Sequence, residues 1–124
     1  MIMYIAAAFC GIAVLAIDQF TKYYVSSHFV IGETRKFLNG FIDLTYIHNE
    51  GAAWGMLSGG IGNMIDRVFR GGSVVDFLHF EFFPSFPVFN IADCAIVLGA
   101  VLLALYFIFD LVKEEKQKKS NGEN

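Results

Sequence analysis

The sequence predicts an α-helical membrane protein with a small β element on its outer side. Three observations predict it. The chain has 124 residues, 56% hydrophobic and only 17% charged, against roughly 45–50% and about 25% in an average soluble domain. Two long apolar runs lie towards its two ends. Between them sits a mixed stretch rich in β-formers and punctuated by glycine pairs. The length allows one domain, and a soluble domain so small has little interior in which to hide that much apolar surface.

The first run, Met1 to Ile17, carries no charge and no strongly polar side chain. At about 1.5 Å per residue it spans roughly 26 Å, a little short of a hydrocarbon core. The helix continues through Asp18-Gln19-Phe20-Thr21-Lys22 to about residue 24, with Tyr23 and Tyr24 in the interfacial aromatic belt. The start Met-Ile-Met-Tyr lacks the Lys or Arg of a signal peptide, and the bulky Phe9 spoils the faint lipobox in Ala6-Ala7-Ala8-Phe9-Cys10. The second run, Ala95 to Val112, is interrupted only by Asp110 and predicts a last helix over about 91–112. Residues 113–124 read as a polar, solvated, disordered tail. Its Lys113, Lys116, Lys118 and Lys119 put it in the cytoplasm by the positive-inside rule. Two spans bring the N-terminus to the same side, so about 25–90 lies outside and 1–112 forms one membrane domain.

Within the outer part, Phe37 to His48 alternates weakly and predicts strands, with Asn39-Gly40 as the hairpin turn. Gly59-Gly60 and Gly71-Gly72 break the chain, and Ile61 to Phe69 between them predicts a short helix. Val74 to Phe83 reads as a strand or a membrane-surface segment ended by Pro84 and Pro87.

A formal net charge of −3 argues against a nucleic-acid partner, because phosphate backbones are bound through a basic excess. Cys10 and Cys94 have no ligand-like spacing and read as free, buried thiols. His28, His48 and His79 are scattered and read as interfacial or strand residues rather than metal ligands. No phosphate-binding loop is present, since Gly59-Gly60-Ile61-Gly62 lacks the Lys-Ser/Thr ending, and Gly55 and Gly59 form only a small-residue packing pair.

Two isolated aspartates stand out. Asp76 lies in Val74-Val75-Asp76-Phe77 and Asp93 in Phe89-Asn90-Ile91-Ala92-Asp93. A carboxylate in such apolar surroundings near a membrane is costly. Two of them in proximity share one proton and titrate as a pair. The anion can then take a proton from water while the acid donates to a scissile carbonyl. Spacing leaves open the alternative that each caps a helix or binds a backbone amide. Asp18 and Lys22 are four apart, an ion pair or a snorkelling interfacial pair. Asn63, Asp66 and Arg67 share one helical face, for a surface salt bridge or for binding a carboxylate or phosphate.

Five blocks, in order, resemble the signature blocks of the lipoprotein signal peptidases (signal peptidase II). They are Asp18-Gln19-Phe20-Thr21-Lys22, Asn49-Glu50-Gly51-Ala52-Ala53-Trp54-Gly55, Gly62-Asn63-Met64-Ile65-Asp66-Arg67, Val74-Val75-Asp76-Phe77 and Phe89-Asn90-Ile91-Ala92-Asp93. The resemblance implies an aspartic endopeptidase of the bacterial inner membrane, cutting diacylglyceryl-prolipoproteins just before the lipid-modified cysteine. It implies Asp76 and Asp93 as the catalytic dyad. It makes Asn49, Gly51, Asn63, Asp66, Arg67, Asn90 and Ala92 site-supporting or substrate-binding residues. Asp18 and Lys22 would stabilise the outer end of the first helix near lipid headgroups. No metal or organic cofactor is implied.

The family has four transmembrane helices where this sequence predicts two. Its second and third blocks are separated by a membrane-crossing hairpin. Here Gly55 and Gly62 are joined only by Met56-Leu57-Ser58-Gly59-Gly60-Ile61. A non-catalytic relative that binds lipid or lipoprotein precursor is therefore the rival reading, and a pair of chains rebuilding four helices is a third.

Overall fold

The computed structural model describes residues 1–51 and 60–122. The elements in order are α1 (Ile2–His28), β1 (Thr34–Leu38), β2 (Ile42–Asn49), α2 (Ile61–Phe69), β3 (Val74–Phe80) and α3 (Ile91–Ser120). The block residues Ala52, Ala53, Trp54 and Gly55, and the Gly55/Gly59 pair, lie outside the described residues.

Two helices, α1 with 27 residues and α3 with 30, are long and apolar enough to cross a membrane. Both outrun the sequence-based bounds. Instead of stopping near residue 24, α1 reaches His28, where Phe29 turns extended and Arg35 Nη2 donates to the His28 carbonyl at 2.7 Å. Arg35 also stacks on the Phe29 ring, 4.0 Å from its centroid. The other helix runs past Val112 to Ser120, so the expected disordered tail is helical through that residue. Its Glu and Lys residues are good helix formers, and Glu114 to Lys118 and Glu115 to Lys119 have the favourable i, i+4 order.

The three strands form an antiparallel sheet in the order β1-β2-β3. The β1–β2 turn falls at Asn39-Gly40 as the sequence predicts: Gly40 has φ +78°, and Phe41 N–H donates to the Leu38 carbonyl at 2.9 Å. The predicted short helix is α2, stopped by Gly71 and Gly72 at φ +65° and +91°. These angles suit glycine, which lacks the Cβ that would clash. The last strand ends at Phe80, four residues before Pro84.

The core is small. Val25 and Phe29 at the C-terminal end of α1 pack on Tyr46 of β2 and on Val75 and Phe77 of β3. The sheet and α2 thus cover the C-terminal end of α1 and the N-terminal end of α3, while the rest of both helices is largely exposed. Cys10 and Cys94 are free, and both are exposed rather than buried. They sit on helix faces that no other described element covers.

Candidate active site

Asp76 lies between the core residues Val75 and Phe77, so strand alternation turns it to the opposite face of the sheet. Ile47 of β2 is its register partner. Asn49, two residues on, therefore lies on the same face, and its Nδ2 donates to Asp76 Oδ2 at 3.0 Å. Asn49 Oδ1 accepts from Gly51 N–H at 2.9 Å, where Gly51 turns the chain at φ +90°.

Asp93 arrives from the other end of the chain. An antiparallel bridge joins Leu78 to Phe89, with Phe89 N–H donating to the Leu78 carbonyl at 2.9 Å. This pins the residue before Asn90 to β3, and α3 starts directly beside Asp76. Asn90 is the N-cap and Asp93 the third helical residue, in a reciprocal capping box. Asp93 N–H donates to Asn90 Oδ1 at 3.1 Å, and Asn90 N–H donates to Asp93 Oδ2 at 3.1 Å.

The same Asn90 side chain reaches the other aspartate: its Nδ2 donates to Asp76 Oδ1 at 2.6 Å. One fully buried asparagine thereby holds a carboxylate from β3 and a carboxylate from α3. The fourth oxygen of the pair, Asp93 Oδ1, accepts from Asn63 Nδ2 of α2 at 2.9 Å. Burial, countered by the Asn49 hydrogen bond and reinforced by the charge of Asp93, pushes the Asp76 carboxyl up to about 6.

Behind the pair lies a buried ionic cluster. The Lys22 ammonium is fully buried and meets three acceptors: Asp18 Oδ2 at 2.9 Å, Asn63 Oδ1 at 2.9 Å and Asp66 Oδ2 at 3.1 Å. An ammonium has three N–H donors, and each has a partner. Asp18 also accepts from Ala92 N–H of α3 at 2.9 Å, and Asp66 from Val75 N–H of β3 at 3.0 Å. These bonds make Asp18 and Lys22 the ion pair that their spacing allowed, turned inward rather than snorkelling outward. The two residues are 1% and 0% exposed, because their partners, the Asp66 and Asn63 side chains of α2 and the Ala92 N–H of α3, face inward.

Three contributors were not singled out from sequence. Gln19 Nε2 donates to Asp66 Oδ1, to the Gly62 carbonyl and to Asp18 Oδ2 at 3.1–3.2 Å. Arg70 approaches Asp66 at 3.6 Å, and its position one turn after Asp66 was the available signal. Gly62 is buried where a Cβ would collide with the Asp18 carboxylate and press on Ala92. Of the residues expected at the site, Asp18, Lys22, Asn49, Asn63, Asp66, Asp76, Asn90, Ala92 and Asp93 converge. Gly51 is exposed at the edge, and Arg67 is half-buried on α2. Among the described residues no three His, Cys, Asp or Glu side chains are grouped to hold a metal ion.

The chain is similar to known proteins in sequence and in fold. The family model described as signal peptidase (SPase) II matches residues 10–58 and 56–109. Its two pieces meet near the short joint between the second and third blocks. The lipoprotein signal peptidase of Enterococcus faecalis is 33% identical, over 89% of this chain and 91% of that one. That of Halalkalibacterium halodurans is 33% identical, over 97% and 100%. A solved bacterial membrane enzyme superposes with a TM-score of 0.74 at 28% identity, covering 86% of this chain and 89% of that one. With the family model matched over most of its length and relatives this similar at nearly full coverage, the chain belongs to the signal peptidase II family.

Proposed function

We propose that the chain is an aspartic endopeptidase that removes signal peptides from diacylglyceryl-prolipoproteins, just before the lipid-modified cysteine. Asp76 and Asp93 act as its acid–base pair. The observation that carries this reading is the meeting of two carboxylates from distant elements on the one residue Asn90, whose Nδ2–H donates to Asp76 Oδ1 and whose backbone N–H donates to Asp93 Oδ2. With its carboxyl near 6, Asp76 holds a proton readily close to neutral pH. The pair then carries one proton and one negative charge. The anion deprotonates a water, the acid protonates the scissile carbonyl oxygen, and the proton gained by the anion passes to the leaving amine. Asn49, Asn63 and Asn90 hold both carboxylates in place, leaving little geometric freedom to be lost at the moment of reaction.

The topology follows from the same reading. The lysines beyond Val112 lie at the far end of α3 from the site, which supports both termini on the cytoplasmic side of a bacterial inner membrane and the dyad at its outer face. There the substrate's lipid-modified cysteine and the flanking peptide meet the carboxylates at the bilayer boundary, with membrane lipids as the surrounding solvent.

The test is cleavage of a purified diacylglyceryl-prolipoprotein in detergent, read by gel shift. Asp76→Asn and Asp93→Asn should each lower the rate on the order of 1,000-fold while the protein stays folded. Normal turnover in either variant sinks the reading. One observation favours a second, non-catalytic reading: the six-residue joint between Gly55 and Gly62, where the resemblance implies a membrane-crossing hairpin. Folded protein that binds the precursor without cutting it, beside an active full-length family member, decides for that reading.

A further inference from the structure

Asn63 and Asn90 can orient the two carboxylates only if their amides point the right way round. An amide offers an acceptor on one side and donors on the other, so something must fix which side faces Asp93. For Asn63 that something is Lys22. Its ammonium can only donate, and it lies 2.9 Å from one end of the Asn63 amide. That end must therefore be the oxygen, and the opposite end, 2.9 Å from Asp93 Oδ1, must be the N–H donor. Lys22 is itself held without freedom, fully buried between Asp18 and Asp66. The Asn63 oxygen also accepts from Asn90 Nδ2 at 2.9 Å, so the orientation passes on to the second asparagine.

We propose that Lys22 is a positioning residue for the dyad, acting through Asn63: it locks the Asn63 amide so that Nδ2–H holds Asp93 Oδ1. The functional part of this inference rests on the reading of Asp76 and Asp93 as the acid–base pair; the structural part does not. Lys22 makes no hydrogen bond to either carboxylate of the pair among the described residues; its charge is felt by both through space, while its hold on their orientation passes through Asn63. The inference also gives a buried lysine in a membrane-capable helix a task beyond holding the fold together.

Lys22→Met alone strands two buried carboxylates, which endangers the fold. The informative variant is the charge-balanced Asp18→Asn/Lys22→Met. In it Asp66 keeps Gln19, Arg70 and the Val75 N–H. The first readout needs no turnover: the side-chain amide resonances of Asn63 in selectively 15N-Asn-labelled protein, assigned by their loss in Asn63→Ala. Removing Lys22 should move the Asn63 amide protons upfield and speed their exchange with solvent, while the Asn49 amide stays in place. Unchanged Asn63 resonances overturn the proposal, whatever the activity.

The second readout is kinetic. The double variant should lose about 100-fold in kcat with KM nearly unchanged, and adding Asn63→Ala should cost little more, because both changes break one chain of contacts. Multiplicative losses, or a loss confined to KM, overturn it. Asp76→Asn and Asp93→Asn run alongside separate the two failures. Full turnover in those variants defeats the acid–base reading and leaves the amide experiment to judge Lys22 alone.

Discussion

The first turn of α3 and its middle follow different rules. In the first turn, Ala92 and Asp93 are buried, and among the described residues Ala92 N–H donates to Asp18, Asp93 N–H donates to Asn90, and the Asp93 carboxylate accepts from Asn63 and from the Asn90 backbone. Further along, Val97, Leu98, Leu102 and Phe107 are 50–60% exposed and meet little of the chain. The middle is specified by composition, since any large apolar side chain suits lipid. The first turn is specified atom by atom, since each buried polar group needs its own partner. A substitution should therefore cost far more at the site end of the helix than a few turns along it.

The largest effect on this contrast is expected from Asn90→Ala. It removes a helix cap, worth about 1 kcal/mol, and leaves Asp76 Oδ1 and Asn63 Oδ1 each short of a donor, at about 1–3 kcal/mol per buried group. Thermal unfolding in detergent should fall steeply, and cleavage with it. A mild effect would mean that the two carboxylates are held by something other than this asparagine.

Asp76→Asn should change the pH dependence of stability. The folded-state pKa of Asp76 lies near 6, above its ordinary value of 3.8, so the folded state binds this proton more tightly than the unfolded chain does. The stability contributed by this group is then fully present below about pH 4 and falls as the pH climbs towards 6. At pH 8 the carboxylate costs at most about 3 kcal/mol. Relative to the parent, the asparagine variant should fare better at pH 8 than near pH 4, since it escapes the cost of the buried charge and keeps at both pH values the loss of one acceptor facing Asn49 or Asn90. The same difference from the parent at both pH values would remove the claim that burial strains this carboxylate.

Gly62→Ala tests how closely α2 must approach. The added methyl meets the Asp18 carboxylate and lies 3.3 Å from the Ala92 Cβ. The helix has to move, at a cost of about 1–3 kcal/mol, and Asn63 moves with it, so cleavage should drop together with the unfolding temperature. The smallest effect is expected at Leu102→Val, on the exposed middle of α3, within about 0.5 kcal/mol. A loss there as large as that of Gly62→Ala would show that this face packs against protein, such as a second copy of the chain.

Much of this was legible in the residues. The two apolar runs, the Asn39-Gly40 turn, the short helix between two glycine pairs and the strand after Gly72 each rest on local rules of length, patterning and backbone freedom, and all appear. Asp76 and Asp93 were visible as charges out of place in apolar surroundings. The i, i+4 spacing of Asp18 and Lys22 left an ion pair and a snorkelling pair both open, and the structure forms the ion pair, buried. Position along a helix says how far a residue lies from its ends, and says little about which side a neighbouring element will cover.

From composition and order alone, this chain had to carry two membrane-capable helices around a small β element, with its chemistry in a few isolated polar residues. Those features follow from interactions between near neighbours in sequence. The convergence of Asp18, Lys22, Asn63, Asp66, Asp76, Asn90 and Asp93 did not follow from them. Lys22 and Asn63 are 41 residues apart, and Asp18 and Ala92 are 74 apart. Contacts over such distances arise only when α1, α2, β3 and α3 close on one another, because a buried polar atom takes whatever partner the packing brings within about 3 Å. Which amide faces which carboxylate is a property of that packed arrangement.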